Sequence, residues 1–402
     1  MATDEFIIWS FMGCSGAEAV LNLQPDSLIA IAYHPHFGSH DDLMLLEVDE
    51  KLLPDVLQQR VTLRGQPDEG AVLCTRSKTY AIKFVGTSNS SFLIPPSDQF
   101  APSQNSLVCD SKVYDLQQLA PVIKVAPGNM ELNEVSPRLD KLKLLLSENP
   151  YRTEEVLEMD DWDMGKSKTG LYTWDDLVER VQASNDELRA GLRALSAVEI
   201  DGYWRIVEEK YMDMILRMLL HNSVLNDWSL HALNEDEVVR VLASDGFPQK
   251  LALHCLDVYG SKMDGDVCTS YVWKLDGRKV CVHFGREILR EGKRKMENFM
   301  VEWLKKIPDG IQASFDMLEG EVLTEKLGVE TWVRAFSVSS LPLTPAERFS
   351  ILFRERPKWE WKDLHPYIRD LKVPGLSSEA LLLKYTRRTQ PSLDAEPVFS
   401  AR

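Results

Sequence analysis

Three groups of residues in this chain are of types that do chemistry, and their spacing decides what each can do. Gly165-Lys166-Ser167 has the ending of a phosphate-binding loop. Such a loop wraps phosphate in backbone N–H groups and needs a glycine five residues before the Gly-Lys pair. Asp160 stands there and would repel the phosphate. Asp161-x-Asp163-x-Gly165 has the spacing of a calcium loop, but Tyr172 occupies the place of the bidentate glutamate. His34, His36 and His40 could ligate a metal through their imidazoles, yet no cysteine or second histidine group stands at matching spacing. Loop histidines beside a turn are the expectation there. No Gly-x-Ser-x-Gly, His-Glu-x-x-His or paired-carboxylate pattern stands out. The expectation is a protein that is not an enzyme, with no cofactor and no metal.

Cations are more informative. Arg286, Arg290, Lys293, Arg294 and Lys295 lie along one stretch, with Lys305 and Lys306 beyond it. Arg354, Arg356, Lys358, Lys384, Arg387 and Arg388 lie near the C-terminus, with Trp359 and Trp361 among them. Cations neutralise phosphates, and aromatic faces stack on bases. Glu287, Glu291 and Glu297 interleave with the first cluster, so a solvated mixed-charge face fits it equally well. The C-terminal cluster is the better candidate for contact with DNA or a polymerase, and Trp359 could equally anchor a protein partner.

The whole chain has 402 residues and a formal charge of -16, with Lys+Arg 46 against Asp+Glu 62. That charge is segregated. Residues 284–402 hold 20 basic and 18 acidic side chains, net +2, which leaves 26 and 44 for residues 1–283, net -18. Polyanion contact is disfavoured on the first part and open on the last. No apolar run approaches the roughly 20 residues that span a bilayer. The acidic N-terminus argues against a secretory signal. Six cysteines without a Cys-x-x-Cys pair fit a reduced, intracellular protein.

The elements that must position these residues fall into two kinds. Residues 1–125 read as β structure: short runs at 27–33, 43–48, 60–64, 71–75, 79–85 and 91–94 alternate with turn residues such as Gly65, Pro67 and Asn89. Close, even spacing suggests a small barrel or sandwich, with Leu63, Val72, Ile82 and Phe84 facing inward. After Pro137 helical stripes take over. Leu139, Leu142, Leu145 and Leu146 make one; Trp174, Leu177, Val178 and Val181 make a second behind Thr173; Leu188, Leu192 and Leu195 make a third behind Ser184-x-x-Glu187, a capping box. Asp201-Gly202 then turns a hairpin. Three helices closed by a hairpin are the winged-helix variant of helix-turn-helix. The pattern recurs with a second Asp-Gly pair, Asp276-Gly277, read as another hairpin. A looser third stretch has helices expected at 286–306, near 314–318, near 321–327, and at 345–354, 361–371 and 378–385. The expected architecture is an α+β multidomain chain: a β-barrel at 1–125, then three tandem winged-helix domains at 137–208, 209–283 and 284–402. The first carries an acidic loop at 152–170.

The chain also resembles a known family, the sister-chromatid cohesion protein Dcc family. The match is carried by Ala71-Val-Leu-Cys-Thr-Arg-Ser-Lys-Thr-Tyr80, Thr87-Ser-Asn89, Val181-Gln-Ala-Ser184 and Asp201-Gly-Tyr-Trp-Arg-Ile206. Ala346-Glu-Arg-Phe349, Arg356-Pro-Lys-Trp359, Pro366-Tyr-Ile-Arg-Asp370 and Leu382-Leu-Lys-Tyr385 continue it in order. The resemblance implies a non-ATPase subunit of an alternative replication factor C clamp loader, located in the nucleus and acting in DNA replication, the cell cycle and sister chromatid cohesion. Its barrel would be completed with strands from a small Ctf-type subunit and the large ATPase subunit. It would help load the sliding clamp onto primed DNA and tie the loader to the catalytic subunit of polymerase epsilon. Single- and double-stranded DNA are expected as further partners, and a membrane is not. The rival reading is a stand-alone winged-helix DNA-binding regulator.

Overall fold

The computed structural model describes residues 30–34, 37–38, 42–94, 119–152, 170–263, 271–390 and 396–402. The chain divides into two compact units, Met1–Val135 and Ser136–Arg402. No described helix is long and apolar enough to cross a membrane.

The first unit is built on an antiparallel sheet of β2 (Thr62–Arg64), β3 (Val72–Cys74), β4 (Thr79–Leu93) and β6 (Lys124–Val135), in the order β2-β3-β4-β6. β1 (Ala30–Tyr33) and β5 (Leu119–Val122) form a separate parallel pair. A short helix, α1 (Leu53–Leu57), precedes β2. The sheet forms because Val72, Leu73 and Cys74 are all buried on a central strand, and because Thr75 closes the β3–β4 turn by accepting from Lys78 N at 3.1 Å. The runs at 79–85 and 91–94 belong to one long strand. Asn89 lies in a register shift between Gly86 and Ser91, where the ladder with β6 is interrupted. Such irregularities bend a strand without ending it. At Gly128 a Cβ would lie 2.2 Å from Val85 O, so only glycine permits this approach of the two long strands.

No closed barrel forms among the described residues; the sheet is open, with β2 at one edge and β6 at the other. Near that second edge Leu46 bridges Met130. Two of the four expected inward positions are corrected. Val72 is buried and Ile82 half-buried, but Leu63 is 60% and Phe84 51% exposed. The core consists of Leu52, Leu73 and Tyr80, flanked by Val48, Val61, Ile82 and Leu132. Alternation puts Tyr80, Ile82 and Phe84 on one face, and the core ends before it reaches Phe84. Leu63 sits on a three-residue edge strand.

The second unit repeats one element order four times. Each repeat has a helix, a short strand, two further helical segments and a hairpin. The short strand pairs with the hairpin's second strand. In repeat one these are α2 (Leu139–Glu148), an isolated bridge from Tyr172 to Trp204, α3 (Trp174–Arg180), α4 (Asn185–Ala194), and β7 (Ala197–Ile200) with β8 (Tyr203–Ile206). In repeat two they are α5 (Glu209–Leu225), β9 (Leu233–Asn234), α6 (Glu235–Ser244), α7 (Gln249–Tyr259), β10 (Gly260–Lys262) and β11 (Val272–Leu275). Repeat three has α8 (Gly277–Leu289), β12 (Arg294–Lys295), α9 (Met296–Lys306), a 3-10 turn at Phe315–Leu318, β13 (Val322–Leu327) and β14 (Glu330–Ala335). Repeat four has α10 (Pro345–Glu355), β15 (Lys358–Glu360), α11 (Trp361–Leu364) extended by a 3-10 turn at His365–Tyr367, α12 (Ser378–Tyr385), β16 (Thr386–Thr389) and β17 (Val398–Ala401).

Local chemistry explains where these elements begin and turn. Thr173 with Asp176 and Ser184 with Glu187 form the two reciprocal capping boxes of α3 and α4. Asp201 and Gly202 adopt φ of 51° and 85°, the two left-handed residues of a tight hairpin. Asp276-Gly277 behaves differently and overturns the second hairpin reading. The Asp276 carboxylate accepts from Arg278 N and Lys279 N and caps α8, whose buried stripe includes Val280, Phe284 and Ile288. β11 pairs instead with β10 and β9. The boundary expected at 283/284 therefore falls inside a helix, and residues 284–402 hold most of repeat three and all of repeat four. The helix expected across 286–306 is interrupted: α8 ends at Leu289, Gly292 takes φ +125°, and β12 precedes α9. Residues 322–327 are a strand, paired with β14 across a two-residue turn that opens on Gly328 at φ +66°.

Three cores hold the repeats. Leu142, Leu146, Leu177, Leu188 and Leu192 centre the first. A second joins repeats two and three through Ile215, Leu219, Leu242, Leu256, Phe284, Phe299 and Trp303. The third gathers Phe349, Leu352, Trp359, Tyr367, Leu381 and Phe399 in repeat four. Of the acidic loop expected at 152–170, residues 153–169 lie outside the described residues, as do the Gly165-Lys166-Ser167 motif, His36 and His40. His34 is buried.

Candidate functional site

The C-terminal cluster converges on the three-stranded sheet of repeat four. Pro345 opens α10, and Arg348 on its first turns is 0% exposed. Its guanidinium donates to Pro342 O at 2.7 Å, to Tyr367 O at 3.0 Å and to the Asp370 carboxylate at 2.5 Å. One buried cation thus ties the segments before and after α10 together, and its charge is met on every side.

Trp359 needs correction as a contact residue. It is 0% exposed; its indole N–H donates to Leu352 O at 3.0 Å, and its ring meets Tyr367 edge-on at 5.6 Å. An indole fully enclosed and satisfied in this way offers no face to a base or a partner. Arg356 is also engaged: it lies 4.9 Å over the Trp359 ring and donates to Asp363 at 2.7 Å and to Thr324 O at 2.9 Å.

Lys358 and Arg387 are placed differently. In the sheet register Lys358 pairs with Ser400, and Ser400 with Arg387. The three residues form one row across the sheet. The neighbouring row, Trp359-Phe399-Arg388, begins on two core residues, so the Lys358 row faces outward. With strands about 4.8 Å apart, the two cations stand roughly 10 Å from each other. Arg388 extends past the core edge and is exposed, as are Arg354 on α10 and Lys384 on α12. Among the described residues, Lys358, Arg354, Arg387 and Arg388 enter no ion pair. The Lys384 ammonium lies 5.3 Å over the Tyr385 ring. Thr386 anchors β16 by donating to Leu382 O. Glu360, the acid on the same outward face, is paired with Lys362 at 2.8 Å, and that bond holds its carboxyl below the usual range.

The earlier cluster is not brought into this surface. Arg290 pairs with Glu209 at 3.0 Å and Arg294 with Glu291 at 2.6 Å, while Lys293 lies 5.4 Å over the Trp332 ring. Among the described residues, only the Arg294–Glu291 pair and the Lys306–Glu287 pair, at 3.0 Å, use acids interleaved with the cluster; Glu209 lies on α5.

Two features escaped sequence reasoning. The first is a buried relay in repeats two and three. His283 bonds Asp213 through Nε2 at 2.9 Å and Tyr259 through Nδ1 at 2.9 Å. Burial opposes the Asp213 charge, but hydrogen bonds from Arg217 and His283 outweigh it and hold this carboxyl below its ordinary range. Burial drives the Tyr259 hydroxyl far up. Only the Asp213-Arg217 spacing of four on α5 could have signalled it. The second is a set of exposed aromatics in the first unit. Tyr33 and Phe37 lie with ring centroids 4.3 Å apart, and Phe92 joins Leu63 and Phe84 as exposed apolar residues.

The family model for sister chromatid cohesion protein Dcc1 matches residues 43–368. The chain is 33% identical over 381 residues to the sister chromatid cohesion protein DCC1 of Danio rerio, covering 92% of this chain and 93% of that protein. Its identity to the human protein of the same description is 31% over 356 residues, covering 86% and 85%. For the Saccharomyces cerevisiae protein the identity is 23% over 330 residues, covering 79% and 84%.

Proposed function

Because this chain belongs to the sister chromatid cohesion protein Dcc1 family, we propose that it serves sister chromatid cohesion as a non-catalytic nuclear adaptor of an alternative replication factor C-like clamp loader. In this reading it helps place the sliding clamp on primed DNA and ties the loader to polymerase epsilon. The observation that carries the proposal is the division of surface chemistry between the two units. The first unit leaves an open sheet with Leu63, Phe84 and Phe92 exposed. Strands from a small Ctf-type subunit and the large ATPase subunit would complete it into a barrel, since strand addition satisfies edge groups and buries such side chains. We read the four repeats of the second unit as winged-helix domains, because a short strand pairing with the last strand of a hairpin behind three helices is that fold's arrangement. The outward row Lys358-Ser400-Arg387 then lies on the hairpin sheet of the last repeat, where it suits phosphate contact.

Co-expression with the two partner segments tests the assembly. Leu63→Glu with Phe84→Glu should abolish the ternary complex while the free chain stays folded, because both side chains are exposed. A complex that survives this double change would sink the assembly reading. The basic sheet also suits a stand-alone DNA-binding regulator. Strict preference for one duplex sequence, together with failure to bind the two subunits, would favour that alternative.

A further inference from the structure

A cleft in the second unit lies apart from the basic sheet, and residues of all four repeats line it. Its volume is about 750 Å³, within the range of ligand sites. Its apolar walls come from two different cores. Leu195 and Ile206 are half-buried at the margin of the first core, and Val258 and Val282 at the margin of the second. The two cores fail to close on each other here, so apolar surface from both faces one opening.

Charge at the cleft is unbalanced once internal pairing is subtracted. Glu209 is held by Arg290, Glu321 by Arg286, and Asp276 caps α8. Arg278 is spent on the carbonyls of Met317 and Glu319. Arg193, Lys279 and Arg369 remain, each exposed and each without an ion pair among the described residues; they come from repeats one, three and four. Asp257 is the one lining carboxylate not committed in the same way. The cleft is thus net positive in a chain whose total charge is -16.

We propose that this cleft docks an acidic peptide segment of a protein partner, with one apolar side chain seated between Leu195, Ile206, Val258 and Val282 and flanking carboxylates facing Arg193, Lys279 and Arg369. A nucleic-acid strand fits less well. A continuous line of phosphates would have no apolar group to place on the floor between Leu195, Ile206, Val258 and Val282, and would meet the uncommitted Asp257 on the same walls. A peptide alternating carboxylates with an apolar anchor satisfies both the floor and the rim. This inference does not depend on the clamp-loader reading.

The experiment is fluorescence anisotropy on the full chain with a labelled synthetic peptide of alternating Glu and Leu. A Lys-Leu peptide of equal length and a single-stranded oligonucleotide serve as controls. The Glu-Leu peptide should bind, the Lys-Leu peptide should not, and the oligonucleotide should fail to displace it. Arg193→Glu, Lys279→Glu and Arg369→Glu combined should weaken binding about tenfold or more, since rim cations become like charges. Arg387→Glu, on the basic sheet, should leave it unchanged. Absent binding, equal binding of both peptides, or indifference to the triple change overturns the proposal. Displacement by the oligonucleotide overturns it in favour of nucleic acid.

Discussion

Replacing Lys358 and Arg387 together by glutamine tests whether the outward row of the last sheet touches phosphate. Each neutralised phosphate adds about 0.9 to the log–log salt slope on duplex DNA and about 0.7 on a single strand. Removing both cations should therefore lower the slope by roughly 1.8 on duplex or 1.4 on single strand. The size of the drop thus also reports which form of DNA the sheet touches. Stability should stay within about 0.5 kcal/mol, because neither cation is buried or ion-paired among the described residues. The assay is anisotropy of labelled duplex and single-stranded probes across roughly 50 to 200 mM salt, where such effects are large. Arg294→Gln is the control: its guanidinium is already paired with Glu291 at 2.6 Å, so the slope should hold. An unchanged slope in the double variant, or an equal drop in the control, would refute the inference drawn from the sheet register.

Two other outcomes follow from the same site and its neighbours. Trp359→Ala should cost about 3–5 kcal/mol in chemical denaturation, because a fully enclosed side chain and its bond to Leu352 O both disappear; a variant of normal stability with impaired DNA binding would return Trp359 to the surface. His254, buried and bonded to Ser196 O at 3.0 Å, has its pKa pushed down by that burial. A depressed base binds fewer protons folded than unfolded, so its stabilisation is complete above the unfolded value of 6.5 and declines as pH falls toward the folded one. Thermal melts should show a shallower acid-side loss in His254→Gln than in the parent chain, and parallel curves would count against the assignment.

What could be read in the residues was whatever neighbouring residues decide. Ser184 and Glu187 cap a helix by bonding across three positions, and Asp201-Gly202 turns a hairpin by its own backbone angles. The same dipeptide at Asp276-Gly277 caps a helix because Val280, Phe284 and Ile288 bury a helical stripe, while β11 finds its partners elsewhere in the chain. That choice is tertiary, and no local signal carries it. The site divides along the same line. Cation spacing identified Lys358, Arg387 and Arg388, but their arrangement depends on β17, which inserts between β15 and β16. An aromatic among cations has one composition whether it stacks on a base or fills a core, so Trp359 could not be placed by type. Leu63 and Phe84 obey alternation, yet alternation names a face and not what covers it.

Four repeats of one topology need not share one role, and the hairpin faces argue that they do not. In repeat one Arg205 is buried and turned to Asn149 and Pro150, and the tip carries Asp201. In repeat two the Trp273 indole donates to Glu235 at 2.6 Å, and Lys262 is drawn over the Tyr271 ring. Repeat three pairs Lys295 with Glu330 and Arg334 with Glu355, and its third helical segment shrinks to the turn at Phe315–Leu318. Repeats two and three each keep one exposed hairpin cation without an ion pair among the described residues, Lys274 and Lys326, whereas repeat four gathers Lys358, Arg387 and Arg388 on one sheet, and it also keeps a full helix, α12, ahead of its hairpin. The near-neutral balance of residues 284–402 is thus an average over two unlike neighbours. One is mostly neutralised internally, and the other keeps its positive charge available to a phosphate.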